Sequence, residues 1–198
     1  MAKILTFILL FFVVGLLNSF AQSNAVSELK QQIEQGKSEA ILEIISEPAK
    51  AQDADLKKYL RSLASDEKQR VVYDSPAYFA HIALAKLGEQ DAEEQILSEV
   101  DMNNPIYLVG MKKLFLVGGK FSFKKFYDLL DDTTQVEIKE DCKEKSALCN
   151  DVFFYPKNFV AIFYLSQMVD NPPTRRGVPS NKVSMWKDWF ENHKELIR

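Results

Sequence analysis

Three stretches of this chain begin alike, each with a proline that opens an apolar run of helical period. They are Pro76-Ala77-Tyr78-Phe79-Ala80-His81-Ile82, Pro105-Ile106-Tyr107-Leu108-Val109-Gly110-Met111 and Pro156-Lys157-Asn158-Phe159-Val160-Ala161-Ile162. The first two close on glycine, at Gly88 and Gly118. Proline fits the first helical position because its amide would lack a partner there anyway, and glycine accepts the left-handed backbone that ends a helix. Each of these two runs is followed by a second, shorter amphipathic run. A unit recurring at about thirty residues predicts stacked helix pairs, since one such pair cannot bury its apolar face alone.

The helical reading extends along most of the chain. Val26 to Gln35 places Val26, Leu29 and Ile33 on one stripe, with Gly36 at its end. Ala40, Ile41, Ile44 and Ile45 form the face of a second helix, which Glu47-Pro48 weakens or ends. Asp55 to Ala64 follows, with Leu56, Tyr59, Leu60 and Leu63 on one side. The paired runs are Pro76 to Leu87 with Asp91 to Val100, and Pro105 to Val117 with Ser122 to Leu130. Aligning Gly88 with Gly118 sets Ile96-Leu97 over Phe126-Tyr127 and Val100 over Leu130, so the register holds across both helices. Phe79, Ile82, Ile96, Met111 and Phe126 then take matching core positions. Between the second and third units lies an insertion, 131–154, whose flanks Thr134 to Ile138 and Val152 to Tyr155 have strand-like composition. It predicts a small hairpin or an ordered loop. The last helix, about Ser184 to Leu196, carries Met185, Trp186, Trp189 and Phe190.

Met1 to Ala21 is expected to act outside this frame. Lys3 precedes the uncharged apolar run Ile4 to Leu17, and Ser19 and Ala21 are the small residues of a secretory cleavage site. The run is shorter than the ~20 residues of a membrane-spanning helix. The expected mature chain, 22–198, is an exported single domain, periplasmic or secreted, with no stable membrane insertion. Its charge is mildly negative, -3 for the full chain. Both signs are interspersed, which disfavours a nucleic-acid partner.

Cys142 and Cys149 are the two cysteines, and His81 and His193 the two histidines. That is too few soft ligands for a zinc site, so no metal and no cofactor is expected. In an exported chain the two cysteines predict a disulfide across the insertion. His81 aligns with Gly110 and Ala161, small residues that imply a helix-packing face. His193 lies among charged neighbours near the end. Serines at Ser38, Ser75, Ser122 and Ser184 stand where helices begin and are read as caps. The acid pairs Glu93-Glu94, Asp131-Asp132 and Glu140-Asp141 are read as solvated. Arg175-Arg176 is a small basic spot in a polar loop. Trp186, Trp189 and Phe190 share one helix face, either the inward side of a terminal helix or a platform for sugars or peptides. No nucleophile elbow, phosphate loop or dinucleotide fingerprint occurs.

The segment Ala80-His81-Ile82-Ala83-Leu84-Ala85-Lys86-Leu87-Gly88-Glu89-Gln90-Asp91-Ala92 resembles the first helix and turn of HEAT-like repeats. The resemblance is carried by 75–130 and extends in part to 155–168. It implies an all-α solenoid, from whose regular pattern the hairpin or loop insertion at 131–154 departs. It also implies that the second helices line a concave, partner-binding side. On 91–100 and 122–130 the residues left pointing outward are Glu94, Ser98, Lys124, Lys125 and Asp128. The expected function is therefore a non-catalytic module or scaffold binding a protein or peptide. Two alternatives stand beside it: a hydrolase acting on an extracellular polymer, which would gather acids or His81 in a pocket, and a dedicated inhibitor of one cognate protein.

Overall fold

The computed structural model describes residues 25–101, 105–139 and 152–197. The expected signal segment and the Cys142–Cys149 disulfide lie outside the described residues. The fold is mostly helical, with one two-stranded sheet. The chain divides into two compact units, one ending at Glu89 and the other starting at Gln90.

The first unit holds α1 (25–34), α2 (Ala40–Ser46), α3 (Pro48–Ala51), α4 (Ala54–Ala64), α5 (Glu67–Arg70) and α6 (Pro76–Lys86). Helix α6 is its spine. Every residue from Ala77 to Ala85 is buried, His81 included. A helix apolar on all sides must be surrounded, and α2, α4 and α5 all pack on it. Both ends of α6 are built as the sequence implies. The Ser75 hydroxyl accepts the Tyr78 amide at 3.0 Å, and Pro76 occupies the first turn. At the other end Gly88 has φ 78°, and the Glu89 and Gly88 amides donate to the Leu84 and Ala85 carbonyls. Those two bonds close the helix through a left-handed glycine. Two short helices depart from the sequence reading. Pro48 ends α2 but also starts α3, because its fixed φ suits a first helical turn. Asp66 caps α5 by accepting the Lys68 and Gln69 amides.

The second unit holds α7 (Gln90–Asp101), α8 (Pro105–Val117), α9 (Gly119–Asp128), a 3-10 turn (Leu129–Asp131), β1 (Gln135–Lys139), β2 (Val152–Pro156), α10 (Lys157–Met168), α11 (Val183–Glu191) and a 3-10 turn (Lys194–Leu196). Helix α8 is central and touches α7, α9, α10 and β1. Its Met111 and Leu114 are buried, as are Ile96 and Val100 from α7, Phe126 from α9, and Ile162 and Leu165 from α10. Of the two readings of the insertion's flanks, hairpin or ordered loop, the strands take the first: they pair antiparallel, with Val136 opposite Tyr155 and Glu137 opposite Phe154. Val136 is buried and Phe154 exposed, so one face of the ribbon packs inward and the other meets water.

Three boundary readings are corrected. Pro156 does not open α10; it ends β2 opposite Gln135 in extended geometry, and the helix starts at Lys157. Helix α9 starts at Gly119 rather than Ser122, because Gly118 and Gly119 both take positive φ and turn the chain early. Ser122 is thereby drawn inside the helix, buried, where its hydroxyl donates to the Leu114 carbonyl of α8 instead of capping. Ser38 and Ser184 cap nothing either: α2 starts from Glu39, and Ser184 lies within α11.

Helices α7 and α8 approach closely at Gly110. A Cβ added at Gly110 would lie 2.8 Å from Glu99 Cβ and 2.9 Å from the Val100 amide nitrogen. Gly110→Ala should therefore cost about 1–3 kcal/mol, as overpacking does. Phe126→Ala should cost about 3–5 kcal/mol, the loss expected for a large side chain removed from a core. Urea-unfolding midpoints of both variants measure these effects.

Candidate functional site

The residues read from sequence as facing outward lie on α7 and α9 of the second unit. Glu94, Ser98, Lys124 and Asp128 are exposed, while Ile96, Val100 and Phe126 anchor the opposite sides of the same helices. Their polar groups are largely engaged with near neighbours. Glu94 accepts from the Gln90 amide group at 2.7 Å, Ser98 donates to the Gln95 carbonyl, and Lys124 meets Asp128 one turn on at 3.1 Å. Exposed pairs of this kind contribute about 0–1 kcal/mol and exchange readily for other partners. Lys125 differs from the other four. Its side chain is only 18% exposed, and its ammonium lies 2.8 Å from Asp101, joining α9 to the last residue of α7.

Behind that pair is a more enclosed polar group, at the point where the hairpin leaves and rejoins the helices. Lys157, 5% exposed, begins α10. Its ammonium lies 3.4 Å from the Asp101 carbonyl and 3.7 Å from an Asp132 carboxylate oxygen, over the face of the Tyr107 ring. The backbone ties the same place together. The Lys157 amide donates to the Thr134 carbonyl and the Asn158 amide to the Asp132 carbonyl, each at 2.9 Å. The Thr134 amide donates to the Asp132 carboxylate at 2.9 Å. Burial acts to raise the Asp132 carboxyl, but the Thr134 hydrogen bonds and the Lys157 charge outweigh it and hold the group below the usual carboxylate range. Burial, with the charge of Asp132 added, pushes the Tyr107 phenol far up, so that it stays neutral.

The acid pair Asp131-Asp132 is thus split by the fold. Asp131 turns outward to Lys187 of α11 while Asp132 turns in toward Lys157. The Trp186 and Phe190 side chains are buried, and the Phe190 ring meets Phe123 and Tyr127 of α9. Trp186 also donates to the Thr174 hydroxyl. The inward-facing reading of that cluster holds for these two residues. Trp189 is partly exposed and stacks on His193 at 3.9 Å. Arg176 fastens its own loop, donating to the Val169 and Asp170 carbonyls.

In the first unit a groove of about 290 Å³ is lined by Glu28, Gln32, Lys37, Glu39, Glu43 and the α2 apolar residues beside them. Glu28 is neutralised by Lys50 at 3.0 Å, and His81 does not line the groove. Among the described residues, no three His, Cys, Asp or Glu side chains are gathered to hold a metal ion, and no helix is long and apolar enough to cross a membrane.

No family model, curated protein or solved structure matches this chain.

The buried polar residues Lys157, Asn158, Glu99 and Lys113 were not singled out in the sequence. A signal existed for Glu99, which shares the stripe of Ala92, Ile96 and Val100 and is buried with them. Lys157 carried none, because a lysine after proline reads as an exposed first turn.

A depressed carboxyl stabilises the fold above its unfolded value of about 3.9, and that contribution is lost as pH falls through the lower folded value. At about pH 6, Asp132→Asn should speed amide exchange across Gln135–Lys139 and Val152–Pro156 relative to the unmodified protein. The gap should narrow as pH falls through the lowered folded value of Asp132, where its carboxyl becomes neutral like the amide that replaces it. Hydrogen exchange read by NMR measures both.

Proposed function

We propose that this chain is an exported, HEAT-like helical-repeat protein that binds a protein or peptide partner and catalyses no reaction. The recurrence of the proline-begun, glycine-ended helix pair at α6 and α8 supports the repeat assignment, and the charged start and small-residue end of Met1 to Ala21 support export. The observation that carries the binding reading is Phe154. At 63% it is the most exposed large apolar side chain among the described residues. It stands on a hairpin whose base is tied by the Asp132, Thr134, Lys157 and Asn158 contacts. An exposed aromatic ring on a tethered ribbon is a pre-ordered anchor: it gains area on binding and loses little freedom.

The charged face of α7 and α9 is the second surface of the same module, favoured by the exposure of Glu94, Ser98, Lys124 and Asp128 on helices anchored by core residues. Their weak local pairs leave them able to re-pair with a charged partner. The groove between Glu28 and Glu43 supports an enzyme less well, since its acids lie near the surface and one already has a lysine.

The test begins with cross-linking and capture from the envelope fraction of the native cell, followed by titration of the purified partner. Phe154→Ser should weaken binding by at least tenfold, and Lys124→Glu by a smaller factor that shrinks at high salt. Both should leave the melting temperature nearly unchanged, because exposed substitutions shift stability within about 0.5 kcal/mol. If the partner binds both variants as tightly as the unmodified chain, this reading is overturned.

A further inference from the structure

Tyr107 is fully buried and its hydroxyl has no hydrogen-bond partner among the described residues. The Lys157 ammonium, nearly as enclosed, sits 5.4 Å from the centre of the Tyr107 ring. It carries three donors. One meets the Asp101 carbonyl at a long 3.4 Å, and the closest carboxylate oxygen, on Asp132, is 3.7 Å away, beyond direct hydrogen bonding. A buried ammonium and a buried phenol left unsaturated would both oppose folding. A salt bridge held open past hydrogen-bond length is the geometry that a bridging water satisfies.

We propose that ordered water is a built-in component of the hairpin base. Internal water accepts from Lys157 Nζ, donates to Asp132 Oδ2 and bonds the Tyr107 hydroxyl, making one hydrated polar core between α8, α10 and the root of β1. Water suits the site better than an anion, because Asp132 already supplies the negative charge facing Lys157. It suits the site better than a second cation, because Lys157 supplies the positive one. The site offers donors and acceptors together, which is what a buried water needs to make its usual two to four bonds. The ribbon is then joined to the helices through solvent, by a contact that can adjust without breaking a direct ion pair.

Tyr107→Phe separates the possibilities, since it keeps the ring and deletes only the hydroxyl. If water bonds that hydroxyl, the folding equilibrium constant falls about fivefold, the size of one satisfied hydrogen bond. An unchanged or raised constant overturns the proposal, because removing a bare buried hydroxyl relieves the protein of it. A crystal structure of the full mature chain at about 1.5 Å gives an independent reading. Density within hydrogen-bond distance of both Lys157 Nζ and Asp132 Oδ2, unreplaced in crystals soaked in bromide, supports water. A direct Lys157–Asp132 contact with no such density, or a bromide peak at the site, overturns it.

Discussion

One side chain, Glu99, sets both the spacing and the register of the helix pair on which the second unit is built. Its Cβ rests where Gly110 leaves room, and its carboxylate runs on to Lys113, 2.7 and 2.9 Å from the two oxygens. Gly110 and Lys113 are three residues apart on α8 and so lie on one stripe facing α7. The glycine lets the backbones approach, and the ion pair lets them approach at one axial position only. Lys113 has no exposed surface. Taking such a charge out of water is costly, and the attraction gained in return is about enough to offset it rather than to add much stability. Losing either partner alone would leave a buried charge uncompensated, at a cost of about 3–5 kcal/mol. The pair therefore acts chiefly against misalignment. A helix as uniformly apolar as α8 could otherwise slide or rotate on α7 with little change in buried area.

That contact explains why the rest of the unit is ordered around α8. Once α7 is in register, its last residue, Asp101, is placed where its carboxylate meets Lys125 and its carbonyl meets Lys157. Three helices are thus referred to one residue. The carboxylate contact lies at the surface and is screened by salt; the carbonyl contact lies further inside and is screened less. Along the outer contact, charges can be exchanged for those of a partner. Along the inner one they hold the hairpin root.

The legible parts of the fold were those governed by local backbone chemistry. Proline at Pro76 and Pro105 and glycine at Gly88 and Gly118 act on the residues next to them, so their meaning survives without knowledge of the tertiary structure. The hairpin was legible from the β-branched and aromatic residues flanking the insertion. The errors arose where two local signals competed. At Pro156 a strand and a helix both claimed the proline, and pairing with Gln135 decided it. At Ser122 the usual capping residue was pre-empted by two left-handed glycines just upstream. Long-range polar pairs were not legible at all. Nothing local distinguishes Lys113, which is buried, from Lys124, which is solvated, because the difference is made by what another helix brings opposite. For the candidate site the same division holds. Exposure of Glu94, Ser98, Lys124 and Asp128 followed from helical period alone, whereas the pairing of Lys125 depends on Asp101 from another helix.

An insertion into a helical frame must solve the problem of its own ends, since its two strands start and finish among apolar helices with backbone groups to satisfy. Here Asp132 and Thr134 at the exit face Lys157 and Asn158 at the return, and their main-chain bonds close the root as a sheet would. The lysine that could have been a liability there becomes the counter-charge for Asp132, and the tyrosine beneath it offers the face of its ring to the same ammonium. With the root closed in this way, the ribbon beyond it places few demands on the helices. Its outer face is then available to carry an exposed aromatic such as Phe154 without disturbing the core.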